Sequence, residues 1–182
     1  MTNTKRREFL LHSSTTLTLA AVSSLGVLQA CTGMAISQSN PKGSKAMTSN
    51  LTAQFFEAYN ASDWQRLRQY VTLEIVYFEP ATGRRIEGID AYMASNQGWK
   101  AAFPDLTGVV KNEILNGDAQ TLEILWTGTH TGTLQSAKGP IPATGKKMQV
   151  PAAAWITLRD GKYNEIRHYF DLLSMLTQLG LA

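Results

Sequence analysis

At 182 residues the chain has room for one domain with short accessories, and 43% hydrophobic with 17% charged residues describes an ordinary core under a sparsely charged surface. The formal charge of +3 is concentrated at the start: with Lys5, Arg6, Arg7 and Glu8 set aside, residues 31–182 hold 14 basic and 13 acidic side chains. That near-neutral body excludes nucleic acid as a partner, and one cysteine with three scattered histidines excludes an internal disulfide and a zinc ligand set.

Residues 1–30 read as a signal peptide. A basic opening, Thr4-Lys-Arg-Arg-Glu-Phe-Leu10, precedes an apolar stretch from Leu17 to Leu28. That stretch is too short for a membrane span of about 20 apolar residues and suits a signal's hydrophobic region. The paired Arg6 and Arg7 in Arg-Arg-Glu-Phe-Leu resemble the twin-arginine export signal, the alternative being a general secretory signal that happens to carry two arginines. Leu28-Gln-Ala-Cys31 resembles a lipobox, which implies that Cys31 becomes the acylated first residue of the mature chain. Acyl chains, at roughly 0.8 kcal/mol per buried methylene, would hold the protein on a membrane. The expected location is therefore the cell envelope, as an anchored lipoprotein or in the periplasm. Residues 31–48, small and polar with Gly and Pro, read as a flexible tether.

The body, 49–182, begins with a helix capped by Ser49 or Asn50 and carrying Phe55, Phe56 and Tyr59 on one face. Ser62-Asp-Trp-Gln65 has capping-box spacing and opens a short helix through Leu67. Leu73–Phe78 reads as a strand stopped by Pro80, with a turn at 81–85. Ile89–Ala102 reads as a helix ended by Phe103-Pro-Asp105. Strands are expected over Leu106–Leu115 and Gln120–His130, joined by the hairpin signal Asn116-Gly-Asp118. The Gly139–Gly145 segment reads as a loop, followed by a strand over Lys146–Arg159, the Asp160-Gly161 turn, a strand to Asp171 and a helix over Leu172–Leu179. Helices first and hairpin-linked strands afterwards predict an α+β fold with an antiparallel-rich sheet around the helices. Gly139 and Gly145-Lys146 are spaced one residue too widely for a phosphate loop, and Lys147 stands where Ser or Thr is needed.

Five segments occur in a diagnostic order: Phe55-Phe-Glu-Ala-Tyr-Asn-Ala-Ser-Asp-Trp64, Ala101-Ala-Phe-Pro-Asp-Leu106, Gly128-Thr-His-Thr-Gly132, Pro142-Ala-Thr-Gly-Lys146 and Gln178-Leu-Gly180. Together they resemble the SnoaL-like polyketide and ester cyclases of the nuclear transport factor 2-like superfamily, from about residue 50 to the end. The resemblance implies a cone-shaped, strongly curved sheet, helices closing its mouth, and an apolar pocket. It also implies chemistry without cofactor or metal, with Asp171 aligned to the acid/base Asp of the cyclases.

Asp171 has two physical readings. Among aromatics, desolvation would raise its pKa toward useful acid/base range; at a helix start it would cap Leu172–Leu179. His130 shares a strand face with Leu122, Ile124 and Trp126. It could polarise a carbonyl oxygen or be a satisfied histidine at a strand end. In the last strand Tyr163, Glu165, Arg167 and Tyr169 are assigned to the face of Asp171, and His168 to the other face in a structural or interfacial role. Tyr59, Trp64, Tyr77, Trp99, Phe103, Trp126, Tyr169 and Arg167 are candidate pocket residues, the aromatics being core fillers otherwise. The expected function is acid/base catalysis of cyclase or isomerase type on a small apolar carbonyl compound. The alternative is a non-catalytic envelope lipoprotein binding a small hydrophobic ligand in the same pocket. Apolar groups on both faces of the last strand make a homodimer plausible.

Overall fold

The computed structural model describes residues 41–182 apart from Ala137, with side chains from Asn50 onward. The signal over 1–30, with Arg6 and Arg7, together with Cys31 and the first part of the expected tether, lies outside the described residues.

Helix α1 (Pro41–Asn60) starts earlier than the sequence suggested, so the tether expected over 31–48 ends at least eight residues sooner. Its buried face repeats at three- and four-residue intervals: Leu51, Thr52, Phe55, Phe56, Ala58 and Tyr59. Ser62, expected as the next cap, adopts φ 57° and serves as the turn residue instead. Asp63 caps α2 (Trp64–Arg68), its carboxylate accepting the Arg66 N–H at 3.0 Å.

Strand β1 (Val71–Glu79) runs one residue past its expected end, and the turn at 80–83 leads straight into β2 (Arg84–Glu87), a strand the sequence reading did not assign and whose first two residues it placed in the turn. Gly83 closes that hairpin at φ 72°, its N–H donating to the Glu79 carbonyl at 2.9 Å. Then come α3 (Ile89–Ala102), β3 (Thr107–Asn116) and β4 (Ala119–Thr129), followed by the small hairpin β5 (Leu134–Ser136) and β6 (Gly139–Ile141). The chain ends with β7 (Lys147–Arg159), β8 (Lys162–Phe170) and α4 (Leu172–Leu179).

Six strands form one curved sheet in the order β2-β1-β8-β7-β4-β3, antiparallel except where β1 lies parallel to β8. Strand β7 alternates without a break, burying Met148, Val150, Ala152, Ala154 and Ile156 on the concave side. Against that side pack α1 and α3, closing a core through Phe55, Phe56, Tyr92 and Met93.

Candidate functional site

Two cavities lie on the concave side. The first, about 60 Å³, is walled by Tyr77 and Glu79 of β1, Trp99 of α3, Leu106, Trp126 of β4, Met148 and Val150 of β7, His168 and Phe170 of β8, and Met175 of α4. At roughly 10–15 Å³ per water it holds a handful of waters or one small organic molecule. The second, about 50 Å³, lies toward α1 and α3, with Tyr59, Tyr92 and Asn96 among its walls. Tyr77, Trp126 and His168 border both.

Two-residue alternation along β1 turns Ile75, Tyr77 and Glu79 inward together. Glu79 is therefore a carboxylate in an otherwise apolar hollow, 1% exposed. In the β1–β2 register it faces Arg84 directly, and the two form an ion pair. The Arg84 guanidinium also lies 6.0 Å from the Tyr77 ring centre and 5.9 Å from that of Trp99, within cation–π range. Among the described residues Glu79 Oε1 is buried with no hydrogen-bond partner. Burial raises the Glu79 pKa above the usual carboxylate range, with Arg84 pulling partly against it.

His168 forms the partition. Its Nε2 lies 3.0 Å from Trp126 Nε1, and its Nδ1 lies 3.0 Å from Tyr77 Oη. Burial, aided by the Arg84 charge, pushes its pKa down to about 4. Desolvation likewise holds the Tyr77 hydroxyl well above the usual phenol range. Trp126 can occupy this place because Gly108 faces it across β3–β4, and a Cβ at Gly108 would come within 2.6 Å of the indole.

Of the residues singled out in the sequence, Tyr77, Trp99 and Trp126 stand in the wall of the first cavity and Tyr59 in that of the second. The others lie elsewhere. Asp171 is exposed and caps α4, accepting the Ser174 N–H at 2.8 Å, so the helix's own amides take the carboxylate expected in the pocket. Tyr169 and Arg167 are on the outer face of β8, where Tyr169 is 47% exposed and Arg167 pairs with Glu165 at 2.8 Å. The pocket face is the other one, with Ile166, His168 and Phe170. A bulge between Thr157/Leu158 and the start of β8 also switches parity, so Tyr163 points inward and parts from Arg167. His130 is fully buried, its ring stacked on Phe103 at 4.9 Å and its Nδ1 3.2 Å from Thr144 Oγ1. Phe103 is core rather than wall, and Trp64 braces Tyr59 edge-on at 6.2 Å. Sequence reasoning missed Glu79, Arg84 and the pocket role of His168. The available signal was parity with Tyr77, plus a turn of four residues setting Arg84 opposite Glu79.

A curved, mostly antiparallel sheet with helices packed on its concave side is the ketosteroid isomerase-like, nuclear transport factor 2-like fold. A structure of that fold from Catenulispora acidiphila DSM 44928, in complex with trimethylamine, superposes with a TM-score of 0.62 at 18% identity, covering 72% of this chain and 93% of its own. The family model of the SnoaL-like polyketide cyclases matches residues 50–179, and the chain belongs to that family. A proposed SnoaL-like polyketide cyclase from Jannaschia sp. CCS1 is 25% identical with a TM-score of 0.67, over 75% of this chain and 94% of that one. IdmH, a proposed polyketide cyclase from Streptomyces antibioticus, is 26% identical with a TM-score of 0.62, over 73% and 98%. Among curated proteins none matches the chain.

Proposed function

We propose that this protein is an exported cyclase or isomerase acting by acid/base catalysis on a small carbonyl compound, with Glu79 as the base in place of Asp171. The observation that carries the reading is a carboxylate 1% exposed, facing an apolar cavity, with one oxygen free of protein hydrogen bonds. Glu79 would take a proton from a carbon beside a carbonyl. The resulting enolate then either attacks a second carbonyl, closing a ring, or takes the proton back at another carbon. A raised pKa favours both halves of that exchange, since the group must accept and then return a proton near ambient pH.

The lipobox-like Cys31 supports anchoring in the envelope, and the exposed Trp155 and Tyr169 on the outer sheet face (52% and 47% exposed) support pairing of two copies. A non-catalytic carrier is the second reading. It is favoured by the Glu79–Arg84 ion pair, which makes the carboxylate a weaker base.

Native mass spectrometry of the full chain from its own host should show a carbonyl compound travelling with the protein, acylation at Cys31 and a dimer. Purified protein should convert that compound. Glu79→Gln should then lower kcat by about a hundredfold or more with little change in Tm. Full activity in the variant sinks the catalytic reading; binding without conversion in the wild type establishes the carrier.

A further inference from the structure

Trp126, His168 and Tyr77 form a hydrogen-bonded row whose direction is fixed by chemistry. An indole nitrogen only donates. The contact at 3.0 Å therefore makes His168 Nε2 an acceptor, which an imidazolium or an Nε2–H tautomer cannot be. The ring is neutral with its hydrogen on Nδ1, and Nδ1, 3.0 Å from Tyr77 Oη, is the donor of the second bond. The phenol oxygen accepts, so its own hydrogen is left over. Tyr77 borders both cavities, and that hydrogen has the cavities to point into. With the row reversed, Tyr77 would spend its hydrogen on Nδ1 and offer a ligand only lone pairs.

We propose that Trp126 and His168 are positioning residues that commit the Tyr77 hydroxyl hydrogen to the cavity, so that Tyr77 donates to the oxygen of a bound carbonyl compound as it becomes an enolate. The enolate step rests on the reading of Glu79 as base; the direction of the row does not. Tyr77 and Glu79 are two residues apart on one strand face, about 7 Å along the strand, and both line the first cavity. The burial that depresses the His168 pKa keeps the ring neutral at ordinary pH, consistent with this direction.

Side-chain ¹⁵N spectra of the full chain, with His168 assigned through His168→Gln, should show a protonated Nδ1 and an unprotonated Nε2 at neutral pH. The opposite tautomer or a charged ring overturns the proposal. A double-mutant cycle then uses 4-nitrophenolate as a mimic of the enolate. Trp126→Phe keeps an aromatic ring in the cavity wall and removes the N–H of the row along with part of the indole; it should weaken binding about tenfold more in the wild-type background than beside Tyr77→Phe. Equal losses in both backgrounds, or no binding of the probe to the wild type, overturn it. The two readings separate cleanly. A correct tautomer with a fully active Glu79→Gln leaves the row and removes the base; a wrong tautomer with an inactive Glu79→Gln does the reverse.

Discussion

Arg84 sets how strong a base Glu79 can be. The pair sits at a hairpin end, with the Glu79 side chain buried and the Arg84 side chain 37% exposed, so water reaches the arginine more than the carboxylate. Burial wins and the Glu79 pKa rises, but less than it would alone. Arg84→Met keeps an aliphatic stem against Tyr77 and Trp99 and removes the opposing charge. The expected result is a further upward shift of the Glu79 titration, read from its carboxyl ¹³C shift against pH. An unchanged or lower value would show that Arg84 does not govern this carboxylate. At this scale the sequence was half legible. The aromatic walls Tyr77, Trp99 and Trp126 stood out as bulky residues in apolar runs, whereas Glu79 looked like one more charge at a strand end before a proline. Only parity with Tyr77 distinguishes it.

Elements decide which of two carboxylates is buried. Asp171 follows β8 directly and enters α4 at the cap position with φ −79° and ψ 89°, so its side chain folds back onto the Ser174 N–H and stays in solvent. Its partner at the other end is Gly180, left-handed at φ 71°, which closes the same helix. Asp171→Ala should cost about 1 kcal/mol of stability in a denaturant titration and leave the affinity of the pocket for its ligand unchanged. A loss of binding larger than the loss of stability would put the carboxylate back in the site. The order and type of most elements were readable because turn chemistry marks them: Asn116-Gly117 and Asp160-Gly161 sit where the chain reverses. The bulge at the start of β8 was not. It carries no local residue signature, and a single extra residue exchanges the inner and outer faces, which is why Tyr163 was assigned to the face of Arg167.

Over the whole molecule, the site depends on a pairing that no local signal announces. β1 and β8 are some ninety residues apart and lie parallel, with Tyr77 opposite Ile166 and Phe78 opposite Arg167. That pairing brings Tyr77 beside His168 and ties the titration of His168 to global stability. The unfolded histidine binds its proton near pH 6.5, the folded one only near 4, so between those values the unfolded chain holds more protons. His168 thus contributes stability that is complete above about 6.5 and lost as the pH falls toward 4, and the buried His130 acts in the same sense. Glu79 works in opposition: its contribution is complete below the ordinary 4.5 and is lost as the pH climbs through its raised folded value. His168 has the larger resolved shift and should dominate the acid limb, by about 2–3 kcal/mol once the water-reachable cavity beside the ring is allowed for. Thermal melts at pH 7 and pH 4.5 should therefore show a clear fall in Tm for the wild type and a smaller fall for His168→Gln, whose amide cannot take up the proton. Equal falls in the two proteins would mean that protonation of His168 leaves the Trp126–His168–Tyr77 row intact, contrary to a ring that must accept at Nε2.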